Sequence, residues 1–149
     1  MKQTGWTTIS QGSKLVELGL DPETADMTWV NDLDGDHIIA KPYQVLHKEL
    51  DELRATCGEI ESVESPAWSL AILLDLLPYI IDVEGWCYDI GIYRNEKLYF
   101  MDYRNVNNGN QICEFKGESF VDVAVDTICF LLENNFIKKG NHHGKDDTE

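Results

Sequence analysis

Lysine and arginine are scarce and unevenly placed. From Leu15 to Ala40 there is neither, against seven aspartates and glutamates, and from Ala55 to Tyr93 there is again neither, against seven. Over the whole chain 12 basic residues face 27 acidic ones, a formal net charge of -15. Nucleic-acid affinity comes from Lys and Arg displacing condensed counterions, so direct DNA or RNA binding is excluded as an expectation. Anionic membranes are disfavoured on the same ground.

Other absences narrow the chain further. The four cysteines, Cys57, Cys87, Cys113 and Cys129, show no C-x-x-C spacing, and the opening Met1-Lys2-Gln3-Thr4-Gly5-Trp6 lacks the apolar run of a signal peptide, so a cytoplasmic location and reduced thiols are expected. The most apolar stretch, Ala67 to Val83, is broken by Asp75, Pro78 and Asp82 and falls short of the roughly 20 clean residues of a membrane span. There is no G-x-S-x-G, no Gly-rich phosphate loop and no H-E-x-x-H.

What is present reads as one domain. At 149 residues, 43% hydrophobic and 26% charged, the chain has the size and composition of a domain with a single core. Residues 1–138 are read as that domain and 139–149, with Asn141-His142-His143-Gly144, as a flexible tail. A helix is predicted from Ile9 to Leu18, since Thr8 and Gln11 form a capping box and Gly19 suits a left-handed C′ position. Asp21-Pro22-Glu23-Thr24 reads as a turn or one short helical turn, and Met27–Val30 and His37–Ala40 as two short strands in a hairpin around Asp34-Gly35. Pro42 is expected to open a second helix with Leu46, Leu50 and Leu53 on one face, ending at Gly58. Ser65-Pro66 is expected to cap a third helix that is apolar nearly all round and ends at Leu77.

Trp86–Tyr93, Leu98–Tyr103 and Gln111–Phe115 form a predicted meander, followed by a helix that Ser119 and Asp122 open with a capping box and that runs to about Asn134. Trp86, Tyr88, Ile90 and Ile92 alternate with Cys87, Gly91 and Tyr93, so both sheet faces read as apolar. The fold class expected is α+β: an antiparallel meander with helices on both faces, an α/β/α sandwich, plus an N-terminal helix and a short hairpin.

The Ser65-Pro66-Ala67-Trp68-Ser69-Leu70 helix, the Trp-led meander and Glu118-Ser119-Phe120-Val121-Asp122-Val123-Ala124 opening an apolar helix together resemble the phage α/β/α ("ABA") sandwich domain family, and Pro66–Leu70 with Leu73-Leu74-Asp75-Leu76-Leu77-Pro78 and Ile128-Cys129-Phe130-Leu131-Leu132-Glu133-Asn134 resemble small proteins of Bacteroides-type prophages. The resemblance runs from Ser65 to the start of the tail. It implies a small phage or prophage accessory protein and carries over no functional residue.

Candidate chemistry is sparse. Asp32-Leu33-Asp34-Gly35-Asp36 gathers carboxylates, but an EF-hand starting at Asp32 needs Gly and Glu where His37 and Tyr43 stand, so it reads as an acidic turn. His142-His143 are adjacent in the tail, His37 and His47 stand alone, and the cysteines lie on separate elements, so no metal is expected. With a turn of two or four residues, Asp89 and Asp102 face each other across the meander and could share a proton; a three-residue loop separates them. Asp122, Asp126 and Glu133 beside Cys129 read as a wet stripe on the last helix, and Trp68, Trp86 and Tyr88 as core.

The sequence therefore points to a non-enzymatic protein-interaction domain without cofactor, metal or catalytic residues, facing a basic protein partner. Self-association as a homodimer stays open. The rival readings are an acidic DNA mimic that inhibits a nucleic-acid-binding protein, and an enzyme using the Asp89–Asp102 pair.

Overall fold

The computed structural model describes residues 5–31, 38–42 and 65–140. Helix α1 spans Ile9–Glu17 and begins with both halves of the capping box: Gln11 N donates to Thr8 Oγ1 at 3.1 Å, and Thr8 N donates to Gln11 Oε1 at 2.9 Å. Its end is equally local. Gly19 takes a φ of 114°, where a side chain is strained, and Leu20 N turns back to Leu15 O at 2.9 Å, which buries both leucines. A 3-10 turn over Pro22–Thr24 follows, capped by Asp21.

Strands β1 (Met27–Asn31) and β2 (Ile38–Pro42) pair antiparallel, as the Asp34-Gly35 hairpin signal predicts. Two expectations need correction here. Pro42 is the last residue of β2, opposite Met27, and does not start a helix; residues 43–64, with the rest of that expected helix, lie outside the described residues. Ser65-Pro66 belongs to strand β3 (Ser65–Ala67), which completes a sheet in the order β2-β1-β3. Among the described residues both prolines sit on edge strands, where a missing N–H is tolerated.

The helix expected from Ser65 starts later, as α2 over Leu70–Leu76, with Ser69 as its N-cap. A carboxylate 43 positions upstream decides this. Asp26 accepts from Ser69 N at 2.8 Å and from Ser69 Oγ at 2.6 Å, while the cap contact from Ile72 N to Ser69 Oγ is 3.4 Å. Only Leu73 of α2 is buried and Ala71 and Asp75 are exposed, so α2 packs along one side rather than being enclosed.

The second sheet runs β4-β5-β6-β7 over Ile80–Val83, Trp86–Arg94, Tyr99–Arg104 and Gln111–Gly117, all antiparallel. Its first strand was not anticipated. Pro78 ends the helical region, two isoleucines follow, and Glu84-Gly85 makes the two-residue hairpin turn with φ of 54° and 88°. Helix α3 (Phe120–Glu133) lies across the inner face of β6 and β7, and its Val123, Ala124, Ile128, Leu131 and Leu132 bury Met101 and Tyr103 completely. Tyr99 stacks on Phe120 with centroids 4.7 Å apart. Ser119 caps α3 by accepting from Asp122 N, but the Asp122 carboxylate accepts from Gln11 Nε2 at 2.7 Å, tying α3 to α1.

The chain is thus α+β, with two antiparallel sheets among the described residues. No helix of the described residues covers the outer face of the meander, which holds exposed Arg104, Glu114 and Lys116 in place of the expected apolar surface. The chain still holds to the body beyond 138: Gly140 N donates to Gly19 O at 2.7 Å. Among the described residues no helix is long and apolar enough to cross a membrane.

Candidate functional site

Strand alternation puts Met101 and Tyr103 on the inner face and Phe100, Asp102 and Arg104 on the outer one. Across the strands, Tyr93 pairs with Phe100, Gly91 with Asp102 and Asp89 with Arg104. On the far side Glu114 stands opposite Asp102, and a register shift beside Tyr103 and Arg104 brings Gln111 opposite Arg104.

Asp102 is the centre of this face. It is fully buried, and its two oxygens accept from Tyr93 Oη at 3.0 Å, Arg104 Nη2 at 2.9 Å and Gln111 Nε2 at 2.6 Å. Gln111 Nε2 also reaches Glu114 Oε2 at 3.3 Å. A Cβ on Gly91 would lie 2.4 Å from Tyr93 Oη and 2.5 Å from Asp102 Oδ1, so the cluster needs a glycine opposite the carboxylate. Burial raises the Tyr93 pKa, and its hydrogen bond to Asp102 adds to the rise, so the phenol stays protonated as the donor. The arrangement is a clamp across β5, β6 and β7: a buried anion neutralised by a cation and hydrogen-bonded on both oxygens.

The Asp89–Asp102 dyad is not formed. Arg94 pairs with Tyr99, which leaves four residues in the turn, yet this register sets Asp102 opposite Gly91 and Asp89 opposite Arg104. The carboxylates share a face diagonally, at a separation of roughly 7–8 Å between such positions. Their shared side of the sheet was legible in the alternation; the Arg104 and Gln111 partners were not, because Gln111 depends on the shift in β7.

The remaining candidates separate. Asp122, Asp126 and Glu133 are exposed along α3 as the periodicity predicts, and burial together with nearby Asp122 raises the Asp126 pKa against the lowering effect of Lys14. Trp68 is fully buried, but Trp86 is 53% exposed at the β4–β5 hairpin rather than in the core. Cys87 is exposed, Cys113 half-buried and Cys129 buried, all as free thiols. Among the described residues no three His, Cys, Asp or Glu side chains converge as metal ligands. Asp32, Asp34, Asp36, His37, His47, Cys57, His142 and His143 lie outside the described residues.

Burial pushes both inner thiols up from 9.0 to about 11, with neighbouring carboxylates adding to the effect. The folded state therefore holds these protons more tightly than the unfolded chain. Stability from this source is complete below about pH 9 and is lost as pH rises towards about 11. Urea midpoints measured from pH 8 to 11 are expected to fall across that window, and a Cys113→Ala, Cys129→Ala double variant is expected to show a shallower fall. An equal fall in both proteins would assign the alkaline loss to other groups.

A shallow depression of about 530 Å³ beside the β5–β6 turn is lined by Asn95, Glu96, Lys97, Leu98 and Glu118, with no buried polar group directed into it. No family model, curated protein or solved structure matches this chain.

Proposed function

We propose that this chain is a non-enzymatic protein-interaction domain whose partner is basic. The observation that carries the reading is the charge: -15 overall, with two long stretches free of lysine and arginine. Such a surface raises the encounter rate with a cationic partner and repels phosphate backbones. The clamp geometry is consistent with this reading, because the one fully buried carboxylate among the described residues is occupied in holding three strands together.

The test is a pull-down at low and high salt with a parallel duplex-DNA shift assay. A basic protein bound at defined stoichiometry and released at high salt is expected, since the screening length falls from about 10 Å at 0.1 M to about 3 Å at 1 M. Retention at 1 M salt or a sequence-specific DNA shift would overturn the reading. The DNA-mimic alternative rests on the same charge and is separated by competition: duplex DNA displaces the domain only if both occupy one cleft of the partner.

A further inference from the structure

We infer that strand β4 is a docking edge, and that its occupant is an extended segment of a partner protein bearing lysine or arginine, added to the sheet as a further strand. The inference rests on the basic-partner reading above and gives it a place on the molecule.

Among the described residues β4 is a terminal strand of its sheet. The two-residue hairpin makes Val83–Trp86 a hydrogen-bonded pair, so Ile81–Tyr88 is the next, and Ile90 N donates to Tyr79 O at 3.1 Å in the same series. Tyr79, Ile81 and Val83 therefore turn their backbone groups towards β5. Ile80 and Asp82 turn theirs outward, leaving a short row of two N–H and two C=O groups along the edge. The opposite edge, β7, carries Lys116 and the register shift, both of which blunt strand addition. β4 has no bulge, proline or lysine.

The side chains around this edge are apolar and acidic. Tyr79 is 82% exposed, Ile80 50% and Trp86 53%, while Asp82 and Glu84 are exposed beside them and Asp89 stands opposite Ile80. Charge selects the occupant. A second copy pairing edge to edge about Ile81 would bring two sets of Asp82 and Glu84 together on molecules already at -15, whereas a cationic strand meets complementary charge.

The experiment uses the full chain and a short blocked peptide alternating lysine and valine, followed by amide hydrogen exchange. The Ile80 and Asp82 amides are expected to exchange fast in the free protein and to gain protection with the peptide. A peptide methylated on the backbone nitrogens facing the edge, and a glutamate–valine peptide, are both expected to bind at least roughly tenfold more weakly. Ile80→Pro removes an outward N–H without touching the β4–β5 ladder, and is expected to weaken binding similarly. Binding that leaves both amides unprotected, or that ignores backbone methylation, overturns the inference, as does a concentration-dependent dimer protecting the same amides without peptide. If the pull-down partner binds Ile80→Pro undiminished, the edge inference fails while the basic-partner reading stands. If no basic partner is recovered, that reading fails and the peptide measurement still decides whether β4 accepts a strand.

Discussion

Trp68→Ala is expected to lower the unfolding free energy by about 3–5 kcal/mol, the range for truncating a fully buried large aromatic. Trp68 is 0% exposed at the junction between β3 and α2, and three hydrogen bonds fix it. Its N–H donates to Thr7 Oγ1 at 3.1 Å, its carbonyl accepts from Thr7 N at 3.0 Å and its indole Nε1 donates to Thr24 Oγ1 at 2.9 Å. Removing the indole leaves a void and strips the Thr24 hydroxyl of its donor. For a domain of this size the thermal midpoint should fall by roughly 10 °C. Trp68→Phe keeps most of the volume and loses the hydrogen bond to Thr24, so a smaller loss is expected, with about 1 kcal/mol of it from that bond. Equal losses in the two variants, read from urea midpoints, would show that the hydrogen bond rather than the packing carries the effect.

Gly12→Ala tests a backbone approach that helix propensity alone gets wrong. In the interior of α1, replacing glycine by alanine should stabilise by about 1 kcal/mol. A Cβ on Gly12 would lie only 2.4 Å from the backbone carbonyl oxygen of Pro66 in β3, and 3.6 Å from the Trp68 ring. Backbone cannot swing aside as a side chain tip can, so α1 must lift from β3 and from the buried tryptophan. Overpacking of this kind costs about 1–3 kcal/mol and sometimes more, so the clash outweighs the propensity gain and the net effect is destabilising. Ser13→Ala is the control: Ser13 is exposed on the same helix, and its replacement should be neutral or slightly stabilising. Matching gains in both variants would mean that α1 and β3 are less closely packed than described.

The contrast between these two positions shows how far local reading reaches. Gly19 could be placed from sequence because a helix end needs a left-handed residue whatever lies beyond it. Gly12 has no such local signature, since its reason is a strand more than 50 positions away. Gly91 is similar: it reads as a gap in an apolar row until Tyr93 and Asp102 fill the space a side chain would occupy. Trp86 was misplaced for a related reason. Its alternation with Tyr88 and Ile90 assigns it correctly to the inner face, but helix α3 covers β6 and β7, so the end of β5 is left half-exposed.

The sequence by itself determined the elements whose causes lie within a few residues: α1 between its Thr8–Gln11 box and Gly19, the 3-10 turn capped by Asp21, and the alternating strands of the meander. Only the tertiary structure decided where α2 begins, that Asp102 meets Arg104 and Gln111 instead of Asp89, and that β4 forms an edge. Short-range hydrogen bonds and backbone sterics act on neighbouring residues and leave a signature in the sequence. Strand register and the capture of Ser69 by Asp26 depend on which distant surfaces meet, and a one-residue slip would exchange the faces of every strand involved.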